Sequence, residues 1–110
     1  MMRAVVLCAG IALAAACCAV DVGTFDSSRT RLADYVIPTS TGLYSMLRTD
    51  WQAQGAVWHL TGALTPEFLS TVPVFITSML NGVKATADEQ AALLSWVKGG
   101  GTLVAIGDCS

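Results

Sequence analysis

Charge is scarce in this chain, and histidine scarcer still. Six Lys and Arg stand against eight Asp and Glu, a net charge of -2, and only 13% of the 110 residues are charged. No basic stripe is present to neutralise a phosphate backbone, which argues against nucleic acid as a partner. The single histidine, His59, leaves no Cys/His spacing of the kind that holds zinc, so no metal is expected. Nor does a glycine-rich loop run from a strand into a helix. Gly99-Gly100-Gly101 follows a helical segment and reads as its C-terminal break rather than a phosphate cradle. No cofactor is expected. No internal repeat is present, and the only biased tract is an alanine-rich stretch near the start.

What the chain has in excess is apolar residues, 54% of the total. Much of this sits at the beginning. Met1-Met2-Arg3 carries one positive charge, and Ala4 to Ala16 is then an unbroken small-apolar run. At about 13 residues it matches the hydrophobic region of a secretory signal and is short for a membrane span. Ala14-Ala15-Ala16 offers one cleavage motif and Cys17-Cys18-Ala19 another, before Val20. Two further readings stand beside cleavage. Cys17 could be the lipidated residue of a lipobox, although Ala14 occupies the place where Leu is usual. Alternatively, Val5-Val6-Leu7-Cys8 is a buried strand leading into an Ala-rich helix. Hydropathy alone does not separate these readings. Three of the four cysteines, Cys8, Cys17 and Cys18, lie in or beside this leader, so cleavage after Ala19 leaves only Cys109. A lone thiol in an exported protein suggests an intermolecular bond or a reactive group. The expected organisation is a leader over residues 1–19 and one small domain over 20–110, secreted or held at a membrane through the leader alone.

Beyond the leader the sequence alternates between strand and helix signals. Val20 to Phe25 is expected to form a strand that ends in the turn cluster Asp26-Ser27-Ser28. Residues 29–40 form a connector in which Pro38 prevents a regular helix. Leu43, Met46, Leu47 and Trp51 fall on one helical face, with Ser40 or Thr41 as the cap and Gly55 just past the end. Ala56 to Leu60 is a second strand. Thr65-Pro66-Glu67 is a capped helix start with proline at the first position. Val72 to Thr77 is a buried strand with Pro73 at its beginning. Ser78 to Ala85 is a loop. Thr86-Ala87-Asp88-Glu89 is a capping box, and it opens a helix whose core stripe is expected at Gln90, Leu93, Leu94 and Val97. Of the tryptophans, 51 and 96 fall on helices and are expected to pack or to lie partly exposed. Thr102 to Ile106 is a last strand. This order predicts an α/β fold with an open, mostly parallel sheet and right-handed crossovers, truncated after the fourth strand.

Ligands of open α/β sheets bind beyond the carboxyl ends of the strands. In a flavodoxin-like strand order that edge carries Asp26, Ser27, Thr77, Ser78, Asp108 and Cys109, and these are the candidate site residues. Polar residues at strand ends are also what a chain turning into solvent requires. Cys109, two residues after Gly107 and directly after an apolar strand, stands where a nucleophile elbow would place it, at the start of a following helix. Such a nucleophile needs a base with an orienting acid. The only histidine, His59, lies on the second strand, where a lone histidine is more often structural.

Several segments together resemble the class I glutamine amidotransferase-like superfamily. They are Val74-Phe75-Ile76-Thr77, the helix opened by Thr86-Ala87-Asp88-Glu89, and Leu93-Leu94-Ser95-Trp96-Val97-Lys98-Gly99-Gly100-Gly101-Thr102-Leu103. The nearest branches are the GIFT-type domains and the trehalose-utilisation-like proteins, which are non-catalytic or uncharacterised. Leu47-Arg48-Thr49-Asp50-Trp51 is similar to the GIFT-type L-x-x-x-W helix end, and Leu64-Thr65-Pro66-Glu67-Phe68-Leu69 to its L-T-x-E-x-L segment. The resemblance spans roughly Asp21 to Ser110 and implies a flavodoxin-like three-layer sandwich. Of the amidotransferase elbow G-x-C-x-G only Gly107 and Cys109 match, and the family's His and Glu have no counterpart. Two functions are therefore expected in competition. One is an exported, non-catalytic binding or structural module, whose partner would be another protein chain or the remainder of the domain. The other is the N-terminal part of a secreted thiol-dependent hydrolase or amidase with Cys109 as nucleophile.

Overall fold

The computed structural model describes residues 19–106. The leader with Cys8, Cys17 and Cys18, and the terminal Asp108 and Cys109, lie outside the described residues. Within them are four strands, β1 (Val20–Phe25), β2 (Ala56–Thr61), β3 (Val74–Thr77) and β4 (Thr102–Ala105). They alternate with three helices, α1 (Ser45–Ala53), α2 (Pro66–Leu69) and α3 (Ala87–Lys98). The strands form one open sheet in the order β2-β1-β3-β4, and every pairing is parallel. This is the α/β, open parallel sheet expected from the alternation, in the flavodoxin-like strand order that the resemblance implies. β1 stands beside both β2 and β3, so the chain reverses its direction of travel across the sheet between β1 and β3.

The pleat divides the core between the two faces. On one face Val22 and Ile76 are buried with Ile37 and Tyr44, and Leu47 and Trp51 of α1 lie against them. On the other, Phe25 and Phe75 are buried with Leu64, Leu69 and Ala92, and Phe68, Leu93 and Trp96 pack around them. Phe75 and Ile76 are both fully buried because β3 is covered on both sides. Thr24 is buried between β1 and β3, and its hydroxyl is satisfied by donating to the Ile76 carbonyl at 2.7 Å. Gly23 of β1 lets the aromatic layer approach. A methyl group there would come within 2.8 Å of both the Phe68 and Phe75 rings. Gly23→Ala should cost about 1–3 kcal/mol in urea unfolding by overpacking, and an unchanged midpoint would contradict this packing.

The helix ends follow the local sequence signals. The Thr65 hydroxyl accepts from the Phe68 N–H at the start of α2, with Pro66 at its first position. At α3, Thr86 and Glu89 form a reciprocal capping box. Gly55, just past α1, takes φ +100°, a backbone that L-residues rarely adopt.

The helix faces depart from the expectation in two places. Leu43 and Met46 are 61% and 77% exposed, whereas Tyr44 is buried. The cause lies upstream, in two 3-10 turns, Ala33–Tyr35 and Ile37–Thr39, the second containing Pro38. They place Ile37 and Tyr44 over the sheet, so α1 begins at Ser45 and only Leu47 and Trp51 of the expected stripe meet the core. The Ser40 hydroxyl oxygen accepts from Tyr44 N–H at 3.1 Å. Thr41 does not cap. Its own N–H donates to the Asp34 carboxylate at 2.8 Å. That bond is the largest of the influences holding the Asp34 carboxyl below its ordinary value.

In α3 the expected stripe of Gln90, Leu93, Leu94 and Val97 is corrected to Glu89, Ala92, Leu93 and Trp96. Gln90 is exposed, Leu94 is 56% exposed and Val97 40%. Two anchors turn the helix by about one residue, or 100°. Glu89 is drawn inward by Arg29 at one end. At the other, Trp96 donates its Nε1–H to the Val72 carbonyl at 3.2 Å.

Candidate functional site

The expected site is the carboxyl edge of the sheet, and the structure shows how each residue there is held. β1 ends at Phe25, and Asp26 N–H donates to the Thr61 carbonyl at 2.9 Å. The Asp26 side chain turns back on its own loop, accepting from Ser28 N–H at 2.9 Å and from the Ser28 hydroxyl. This is an Asx turn, and it starts the connector. Ser27 is exposed on that turn.

The next residue organises the whole edge. Arg29 is 7% exposed, and its guanidinium lies 4.6 Å from the centre of the Phe25 ring. One nitrogen donates to Glu89 at 2.7 Å and to the Gly62 carbonyl at 3.0 Å, and a second reaches Glu89 at 3.4 Å. Glu89, 6% exposed, also accepts from Leu64 N–H at 2.8 Å and Thr86 N–H at 3.0 Å. The Arg29 guanidinium is the leading cause that holds the Glu89 carboxyl down at about 2. One buried ion pair thus ties the loop after β1, the loop after β2 and the N-terminus of α3.

The crevice between β1 and β3, where the strand order reverses, is stitched by a second set of bonds. Thr30 and Leu80 form an isolated antiparallel bridge. Arg31 N–H donates to the Met79 carbonyl at 3.0 Å, and Asn81 N–H to the Arg29 carbonyl at 3.1 Å. The Asn81 side-chain amide donates to the Ser28 carbonyl at 2.8 Å. Ser78 is 2% exposed and donates its hydroxyl to the Tyr35 carbonyl at 2.6 Å. Met79 N–H donates to the Tyr44 hydroxyl at 3.3 Å.

The candidates therefore separate. Asp26 and Ser27 lie on the connector loop after β1. Thr77 and Ser78 line a shallow cavity of about 380 Å³ beyond β3 and β4, with Arg31, Met79, Leu80, Ala105 and Ile106. Asp108 and Cys109 lie outside the described residues. His59 stands in β2 opposite Gly23, two residues short of the strand's end. Its Nε2 contacts the Asp21 carboxylate at 2.8 Å, which draws the ring toward the amino end of β1, away from the carboxyl edge. Both partners are well exposed, at 40% and 54% of their side chains. Such a surface pair contributes little to stability.

Sequence reasoning missed Arg29 and Glu89 as partners. They are 60 residues apart, and the capping box accounts for Glu89 without a second role. The only signal for Arg29 is its place directly after a strand and turn, where an arginine is unremarkable. Among the described residues no three His, Cys, Asp or Glu side chains are grouped as a metal site requires. No helix among them is long and apolar enough to cross a membrane. Compared with known proteins, the chain matches no family model, no curated sequence and no solved structure.

Proposed function

We propose that this chain is an exported α/β domain that acts as a binding or structural module without catalysis of its own. The observation that carries the reading is the condition of the carboxyl edge. Its buried polar side chains, Arg29, Glu89 and Ser78, are engaged in bonds that join one loop to another, and only the Arg29 Nε among their polar atoms is left buried without a partner. An acid–base site needs groups poised toward a substrate, whereas these groups face the fold. His59, the chain's one imidazole, is turned toward Asp21 and the opposite end of the sheet. Export rests on the leader, with its single arginine and its run of small apolar residues. The partner on this reading is another protein chain.

Expression of the full chain in a secreting host tests both halves. The exported product should have the mass of a chain beginning at Val20. It should release no ammonia from glutamine or simple amides above the background of the Cys109→Ala variant. Retention in the cytoplasm at full mass would overturn the export half. Turnover that Cys109→Ala abolishes would overturn the non-catalytic half in favour of a thiol hydrolase.

A further inference from the structure

Asn81 is the chain's only asparagine, and a glycine follows it. The pair sits in the loop after β3 and helps to fasten that loop to the connector after β1, across the crevice where the strand order reverses. Three bonds carry the junction. Asn81 N–H donates to the Arg29 carbonyl at 3.1 Å, and Arg31 N–H to the Met79 carbonyl at 3.0 Å. The Asn81 side-chain amide donates to the Ser28 carbonyl at 2.8 Å.

The same side chain is placed to react. Its Oδ1 accepts from Val83 N–H at 3.0 Å, an Asx turn that folds the side-chain carbonyl back over the Gly82 peptide. Val83 N–H thereby stands as a donor to the oxygen on which negative charge develops when Cγ is attacked. Among the described residues the Gly82 N–H donates to no acceptor, so the neighbouring nitrogen is not committed elsewhere. Gly82 is exposed, and a Cβ built on it would find nothing within 4 Å. Its peptide is open to water, and no side chain hinders its nitrogen.

We infer that Asn81 is a self-modifying site, which deamidates in the folded chain through the Gly82 nitrogen and so unfastens the loop after β3 from the connector. The Gly82 nitrogen gives its proton to solvent and bonds to Asn81 Cγ. The Cγ–Nδ2 bond breaks, and Nδ2 leaves as ammonia with a proton taken from water. Water then opens the cyclic imide. Breaking its bond from Cγ to nitrogen yields aspartate, and breaking the main-chain bond from carbonyl carbon to nitrogen yields isoaspartate. The net change turns amide and water into carboxylate and ammonium, with nothing oxidised or reduced. Either product undoes the junction. A carboxylate has no proton to donate to the Ser28 carbonyl. It also adds a negative charge beside the turn in which Ser28 already binds the Asp26 carboxylate. Isoaspartate further lengthens the main chain by one carbon at the residue whose N–H meets Arg29.

Peptide mass spectrometry on the full chain, fresh and after incubation in mildly alkaline buffer at 37 °C, tests the chemistry. The expected result is the mass gain of an amide-to-acid exchange, confined to the peptide that holds Asn81. Part of the product should accept a methyl group from a protein isoaspartyl methyltransferase. Gly82→Ala should slow the conversion by at least about tenfold, because a Cβ crowds the attacking nitrogen. Amide hydrogen exchange reads the consequence. The N–H groups at positions 31 and 81, protected in the fresh chain, should exchange at least about tenfold faster in the aged chain and in Asn81→Asp, while amides of β1 and β3 keep their protection. A folded chain that keeps its amide while the urea-unfolded chain loses it overturns the inference. So does a mass gain that proceeds at the wild-type rate in Asn81→Gln or Gly82→Ala, or an aged chain in which positions 31 and 81 stay protected.

Discussion

Glu89→Ala is expected to lower the unfolding free energy by about 3–5 kcal/mol, because it leaves the Arg29 guanidinium buried and unpaired. The change removes four acceptor contacts at once: two from Arg29, one from Leu64 N–H and one from Thr86 N–H. Urea unfolding followed by tryptophan fluorescence should show the midpoint falling, with the slope little changed. Glu89→Gln, which keeps an acceptor but not the charge, should cost less. The pH dependence follows from the same group. Its carboxyl titrates at about 2 in the folded chain against an ordinary 4.5. A depressed folded value means that the stabilisation is fully present above about pH 4.5, declines as the pH falls, and is gone below about 2. Glu89→Gln should flatten that acid limb. An acid limb identical in wild type and variant would show that the ion pair does not hold the edge together.

Phe75→Ala should be at least as damaging. Phe75 is fully buried, with Phe25 edge-on at 5.1 Å and Phe68 edge-on at 6.2 Å. Truncating a buried phenylalanine costs about 3–5 kcal/mol through lost transfer energy and the cavity left behind. A domain of this size holds only about 5–10 kcal/mol in total, so the variant should be largely unfolded at 37 °C. Near-UV circular dichroism reads this directly, since ordered aromatic packing gives the native signal. A variant that kept the native spectrum and thermal midpoint would place the core elsewhere. Phe75→Leu, which fills most of the volume, should keep the fold at reduced stability.

These two residues also mark what the sequence discloses. Phe75 lies in Val74-Phe75-Ile76, a short apolar run after proline, and such runs are the signature of strands buried on both faces. The helix starts at Thr65 and Thr86 and the break at Gly55 were legible for a related reason. Caps and positive-φ turns are local, and a few neighbouring residues fix them. The parallel sheet followed from strict alternation of element types.

What was not legible is set by distance. The direction in which α3 faces depends on Arg29 and on the Val72 carbonyl, which hold its two ends. Periodicity alone favoured the greasier Leu94 and Val97 over the acidic Glu89. An acid reads as solvent-facing until its buried partner is known. At α1, periodicity counted Leu43 and Met46 as core. It could not foresee that the 3-10 turns would deliver Ile37 and Tyr44 to the same space. The candidate site shows the same limit. Placing Asp26, Thr77 and Ser78 at strand ends needed only the alternation. The donation of the Ser78 hydroxyl to Tyr35, 43 residues away, needed the fold.

The central claim, that the domain binds or supports without catalysing, is tested most directly at Cys109. The measurement is the rate of its alkylation by iodoacetamide as a function of pH, read by peptide mass spectrometry on the folded chain. The account predicts a slow reaction that accelerates only toward about pH 8–9, the range of an ordinary thiol. Fast alkylation already near pH 6, lost on unfolding, would mark an activated thiolate and contradict the account.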